Sequence, residues 1–217
     1  VVRGFEEEPV AAALALRVAG AFHRRALNDA DGALAAIYPT CGGDGAAIMD
    51  DDALRALLLR DLQADHRHYQ TYLESPPQTN EVGRSGVMIG GYLTIASETE
   101  LPLDVCEIGA SAGLNLGFDK FHYELGGVAY GDAGSPVKLA PDWHGPPPPV
   151  AARLSVRSRS ACDIAPLNVH DLEAQRRLES YVWADQHERM TRLRGAIALA
   201  CELGVMVEAE SADRFVA

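Results

Sequence analysis

The chain has 217 residues, 47% hydrophobic and 23% charged, a balance that suits one large core, or a core with a small satellite, and excludes bulk disorder. Its net charge of -12 repels phosphate backbones and argues against non-specific nucleic-acid binding. Apolar stretches such as VAAALALRVAG (10–20) are too short and interrupted to span a bilayer, and no charged-then-apolar leader opens the chain.

The chain begins at Val1 rather than Met, so a missing N-terminus is expected. The first hundred residues read as helices. EEEPVAAALALRVAGAFHRRAL (6–27) has acids and Pro9 at its start, as helix N-termini do. A Pro- and Gly-containing loop, YPTCGGDGA, covers 38–46. The next helix opens on the capping run Asp50–Asp52 and places Leu54, Leu57, Leu58 and Leu62 at helical spacing as far as residue 73. Pro76 and Pro77 stop it, and Thr79 or Asn80 caps the following helix, which carries Val82, Met88, Ile89, Leu93 and Ile95.

From residue 101 the pattern changes. LPLDVCEIG reads as a buried strand and SAGLNLGFDKF as the helix after it. HYELGGVAYG forms a small hairpin at the head of a Gly/Pro-rich insertion at about 122–150. ARLSVRSRSACDIAP holds a second strand ending near Asp163, one or two helices fill 171–204, GVMVEAES is a third strand, and ADRFVA starts another helix. The two arginine-rich stretches, Arg153–Arg159 and Arg189–Arg194, read as strand and helix faces. A helical N-terminal portion (1–98) therefore precedes an α/β domain (99–217) in which helix-separated strands pair in parallel. Only three strands are evident, so further residues, or another chain, are expected to cover the open edge.

DVCEIGASAGLNLGFDK (104–120) fits two functional patterns. Gly109-Ala110-Ser111-Ala112-Gly113 matches the G-x-S-x-G turn that exposes a nucleophilic serine. That reading makes Ser111 the nucleophile of a serine hydrolase, with Asp163 or Asp171 and His187 as its partners. It fits badly, because a nucleophile elbow follows several strands and this strand is the first. Glu107-x-Gly109-x-Ser111-x-Gly113 instead reads as an acid followed by a glycine-rich loop opening a helix, where the missing Cβ atoms let a ligand approach the backbone. The absence of G-x-G-x-x-G disfavours a dinucleotide. The acid-x-Gly-x-Gly/Ser-x-Gly pattern resembles the first motif of class I S-adenosylmethionine-dependent methyltransferases. That resemblance implies S-adenosylmethionine as cofactor, with Glu107, Gly109, Ala110, Ser111 and Gly113 along its methionine end. SACDIAPL resembles the end of such an enzyme's second strand, which implies Asp163 on the ribose hydroxyls. Glu124 is the alternative, since Asp163 lies beyond the insertion. Asp163 also reads as a helix cap, and the whole loop as a strand-to-helix turn that binds nothing.

SPPQTNEVGRSG, LPLDVCEIGASAGLNL, ACDIAPLNV and ESYVWADQHERMTRLR occur in this order in an uncharacterised bacterial family, domain of unknown function 2332. The resemblance covers most of residues 35–217. It implies a methyltransferase-type Rossmann fold, no assigned reaction, and further strand-like segments past residue 217. Two of these stretches are chemically dense. Asn80, Glu81 and Arg84 lie at a helix start, where Arg84 would clamp a substrate carboxylate or phosphate. Trp183, Asp185, Gln186 and Arg189 lie near another. Glu81 or Asp185 would then be the general base, with Asn80, Trp183, Gln186 and Arg189 lining the substrate. The structural alternatives are a capping box and an i,i+4 Asp185–Arg189 pair.

The seven histidines form no H-E-x-x-H spacing, and His66-x-His68 faces two sides of a helix, so no metal is expected. Four cysteines without C-x-x-C spacing point to a reduced, cytoplasmic protein, with Cys106 and Cys162 as small core residues. The overall expectation is a cytoplasmic methyltransferase-like enzyme acting on a small-molecule or protein acceptor, with neither membrane nor nucleic acid as partner. A non-catalytic nucleotide-binding module is the alternative.

Overall fold

The computed structural model describes residues 2–5, 7–45 and 50–217. Glu6 of the first expected helix and Ala46 of the expected 38–46 loop lie outside the described residues. The chain forms two compact units, one of residues 1–79 and 176–190, the other of residues 80–175 and 191–217. The first unit is discontinuous, where the sequence reading places a single boundary at residue 98.

The first unit is helical. Helix α1 (Leu14–Asn28) starts later than the acids and Pro9 imply, because residues 9–13 form hydrogen-bonded turns, with Leu14 N–H donating to the Pro9 carbonyl at 2.9 Å. The expected single helix over 50–73 is two, α2 (Asp51–Ala64) and α3 (His66–Glu74). Asp50 caps α2 by accepting from Asp52 N–H at 2.9 Å. Asp65 leaves helical geometry and caps α3 by accepting from His68 N–H at 3.1 Å. Phe22, Tyr69, Tyr72 and Tyr181 pack around Ala21 and Ala26. His23 is buried among them; its Nδ1 lies 2.8 Å from the Val182 carbonyl and its Nε2 2.8 Å from Thr40 Oγ1. The Ala184 carbonyl accepts from Thr40 N–H at 3.0 Å.

The second unit is a mixed α/β body. A 3-10 turn (Val82–Arg84) runs into helix α4 (Ser85–Thr99), and strand β1 (Leu103–Ile108) follows. A 3-10 helix (Leu114–Lys120) leads to the hairpin β2 (His122–Leu125) and β3 (Val128–Gly131). Its two-residue turn, Gly126-Gly127, has φ of 61° and 83°, the left-handed pair that a twisted hairpin requires. Strand β4 (Lys138–Leu139) adds to β2 in parallel. Strand β5 (Val156–Asp163) is followed in the chain by α5 (Leu172–Ser180) and α6 (His187–Glu202), of which residues 176–190 count with the first unit, and then by β6 (Glu208–Ala209) and α7 (Ala212–Phe215). The main sheet is parallel throughout, in the order β1-β5-β6. It is small, and β6 keeps only two residues of the expected third strand.

Helix α4 buries Ile89, Gly90, Leu93 and Ala96. A Cβ on Gly90 would lie 2.6 Å from Trp143, so the insertion lies against α4. Arg159 joins β5 to the 3-10 helix, donating to the Leu116 carbonyl at 2.9 Å and to Asp119 at 2.5 Å. All four cysteines are free. Cys162 is buried as expected, but Cys106 is exposed, because it lies on the face of β1 that also exposes Asp104 and Ile108. No helix among the described residues is long and apolar enough to cross a membrane.

Candidate functional site

Parallel strands bring the sequence-predicted loop and acid together. The register pairs Glu107 with Ala161 and Ile108 with Cys162, so Gly109 and Asp163 leave adjacent strands at the same edge of the sheet. Carboxyl ends of parallel strands are where α/β proteins place ligands.

The loop is held from three directions. Ala110 N–H donates to the Cys162 carbonyl at 3.1 Å and Gly113 N–H to the Ala110 carbonyl at 2.8 Å. Ser111 N–H donates to Asp163 Oδ2 at 2.8 Å. Asn80 Oδ1 accepts from Ala112 N–H at 3.1 Å and Leu114 N–H at 3.2 Å. Every N–H from Ala110 to Leu114 therefore has a partner within the protein. Asn80 (φ 37°) and Ser111 (φ 56°) both have left-handed backbones, which non-glycine residues hold only where surrounding bonds enforce it. Both are buried. Gly113 (φ 70°) is fixed by packing as well, since a Cβ there would lie 2.7 Å from Val205 and 3.0 Å from Val207. Gly109 (φ 64°) is exposed, and a Cβ on it would meet nothing within 4 Å. Of the loop's small residues, Gly109 is the one with open space beside it.

Asn80 is thus a loop anchor, and the residue capping the next turn is Glu81, whose Oε1 accepts from Gly83 N–H at 2.9 Å. The loop opens a 3-10 helix of seven residues, an unusual length for that geometry. Asp163 also accepts from Ala165 N–H at 2.9 Å, so each of its oxygens holds one backbone N–H and keeps lone-pair capacity for another donor. The alternative acid, Glu124, lies on β2 and accepts from His122 Nε2 at 3.1 Å.

Glu107 is partly buried, and its Oε2 has no hydrogen-bond partner. Burial raises its pKa, and the Arg84 guanidinium and the Asn115 amide partly offset the rise. Asn115 is itself oriented: Ser85 Oγ donates to its Oδ1 at 2.7 Å, and its Nδ2 donates to the Glu81 carbonyl at 3.3 Å. Tyr92 is near enough for the Glu107 charge to add to the effect of burial in raising its pKa. Two large apolar residues next to Gly109 and Asp163 in the chain are exposed, Ile108 at 57% and Ile164 at 85%.

The second predicted cluster belongs to the first unit. Trp183 is 46% exposed, Asp185 and Gln186 are exposed, and Arg189 donates to Gln186 Oε1 at 3.1 Å. The adjoining Val182 and Ala184 carbonyls hold His23 and Thr40. Among the described residues, no three His, Cys, Asp or Glu side chains group to hold a metal ion.

The sequence reading missed Ser85, Asn115, Ile108 and Ile164. Asn115 carries a signal in retrospect, a lone amide two residues past the last loop glycine in an apolar run. Ile164, an apolar residue beside the strand-end acid, carries another.

The family model described as "Uncharacterized protein conserved in bacteria (DUF2332)" matches residues 1–217. The chain belongs to that family. No curated protein and no solved structure matches it.

Proposed function

We propose that this DUF2332 chain carries a Rossmann-like S-adenosylmethionine site and transfers its methyl group to a small-molecule or protein acceptor. The observation that carries the reading is the pairing of Gly109 and Asp163 at the ends of two adjacent parallel strands, with Glu107 one turn of the pleat behind. The donor set suits the cofactor. The partnerless Oε2 of Glu107 suits an ammonium, the open face of Gly109 permits close approach, and Asp163 retains acceptor capacity for a ribose hydroxyl. Ile108 and Ile164 offer apolar area to a flat base.

When bound, S-adenosylmethionine supplies an electrophilic methyl on sulfur. The chain's own part is to hold the ligand and place the acceptor in line, which is chiefly a matter of position. Glu81 remains the candidate base where the acceptor carries a proton, although its Oε1 already caps Gly83. Free cysteines suit a reducing cytoplasm.

The hydrolase alternative rests on the strained backbone of Ser111 (φ 56°) at a strand-to-helix turn, the geometry of a nucleophile elbow. Against it, Ser111 is only 8% exposed. A binding module without catalysis shares the site and differs only in lacking turnover.

The reading is tested by calorimetry with S-adenosylhomocysteine on the wild type and on Ile164→Asp. Ile164 is exposed, so the variant keeps its fold. Binding by the wild type that weakens about tenfold or more in the variant supports the site, the scale of a lost apolar contact plus a misplaced charge. Equal binding by both, or no binding by either, contradicts it.

A further inference from the structure

We propose that the first unit holds a ligand site of its own, a cavity beside His23 and Ser180 that takes a neutral, single-ring aromatic molecule carrying a hydrogen-bond acceptor. The site is independent of the cofactor reading, because every residue lining it belongs to the first unit.

Size limits the ligand first. The cavity measures about 160 Å³ and is lined by one face of α1, by Tyr38 and by residues 180–184. Close-packed interiors keep few spaces larger than a water molecule. A cavity of about 150 Å³ accommodates a benzene ring, whereas drug-sized ligands need about 300 Å³ or more. The space therefore suits one ring and is too small for a nucleoside.

The walls then set the class. Tyr38, Tyr181 and Trp183 supply aromatic surface, and Tyr38 stacks on His23 with ring centroids 5.0 Å apart. Among the described residues, no Asp, Glu, Lys or Arg lines the cavity, so a charged ligand would lose its hydration without a counter-charge. The two buried polar side chains are held by the protein itself. The Val182 carbonyl can only accept, so His23 Nδ1 carries the proton and donates at 2.8 Å, which leaves Nε2 to accept from Thr40 Oγ1 at 2.8 Å. Ser180 Oγ donates to the Arg177 carbonyl at 2.7 Å and accepts from the Tyr72 hydroxyl. Two donors on the lining residues are unspent. The Tyr38 hydroxyl and the Trp183 indole N–H form no hydrogen bond among the described residues, and they call for an acceptor on the ligand. Burial raises the Tyr38 pKa to about 12, so it stays a donor. Trp183, 46% exposed, marks the side open to solvent. It comes from the second chemically dense stretch of the sequence, which the cofactor reading leaves without a role.

The test is heteronuclear NMR of the full chain titrated with phenol, and with benzoate and benzylammonium as charged rings of similar size. The site predicts saturable shifts centred on residues 19–23, 38 and 180–184, with phenol about tenfold or more tighter than either ion. Ala19→Leu fills the cavity and Trp183→Ala removes an aromatic wall; each weakens phenol binding about tenfold or more. Tyr38→Phe weakens it about threefold or more, the worth of one neutral hydrogen bond. No saturable shift at tens of millimolar phenol overturns the proposal, as do shifts confined to the open apolar groove at Val10, Leu14 and Leu58. Tighter binding of benzylammonium than of phenol overturns the neutral class in favour of an aromatic cage for cations. If Ala19→Leu does not fold, Trp183→Ala decides, and unchanged phenol affinity in that variant overturns the site.

Discussion

The backbone N–H of Ser111 donates to Asp163 Oδ2 at 2.8 Å, so the acid that ends one strand holds the turn that follows its neighbour. The other oxygen of Asp163 accepts from Ala165 N–H at 2.9 Å. Asp163→Asn keeps the shape but aims an amide donor at one of those N–H groups. It is expected to cost about 1–3 kcal/mol, the penalty for an unmade bond to a charged acceptor. Urea denaturation checks this, and an unchanged midpoint contradicts it. Any ligand-binding defect in an Asp163 variant must therefore be read beside its stability.

Asn80 holds the loop from the opposite direction, with Oδ1 shared between Ala112 and Leu114. Asn80→Ala removes both bonds inside a buried site and is expected to destabilise by about 2–4 kcal/mol. Asn80→Asp keeps an acceptor at that place and tolerates a left-handed backbone, so it is expected to be milder. Thermal denaturation of the two variants ranks them; the reverse order rules out the acceptor role.

Gly113 is constrained twice, by φ 70° and by Val205 at 2.7 Å from where a Cβ would stand. Gly113→Ala is expected to cost about 1–3 kcal/mol, combining backbone strain with overpacking. Gly109 has a similar φ of 64° but open space beside it, so Gly109→Ala is expected to cost less. Denaturation midpoints for the pair decide it. Equal losses would mean that strain alone governs both positions.

Glu107 gives a pH-dependent expectation. Its pKa is raised in the folded state, mainly by burial. A carboxyl with a raised folded pKa binds its proton more tightly when folded. Its contribution is favourable below the unfolded value and is lost as pH rises through the folded value. Glu107→Gln is therefore expected to be more stable than the wild type at neutral pH, with the gap closing towards about pH 4. Melting temperatures across that range check the sign, and a gap that widens on acidification contradicts it.

Much of the second unit is legible in the chain. Period and turn residues reveal β1, the Gly126-Gly127 hairpin and β5 ending at Asp163, because each is encoded locally. The break at Asp65 is not, since α2 and α3 share one continuous helical pattern and the cap alone divides them. Nor is the fate of residues 176–190, which form a compact unit with residues about 100 or more positions upstream. The loop glycines and Asp163 announce themselves by composition. What holds them does not, because Asn80 looks like a helix cap until the backbone returns to it 32 residues later. Cys106 misleads for a related reason: an apolar run reads as buried on both faces, but one face of β1, with Asp104, Cys106 and Ile108, is exposed.

The central claim is most directly tested by backbone NMR of the labelled protein titrated with S-adenosylhomocysteine. The account predicts saturable shifts that are largest at Gly109, Glu107 and Ile164. No shifts at millimolar ligand, or shifts confined to residues 1–79 and 176–190, would contradict it.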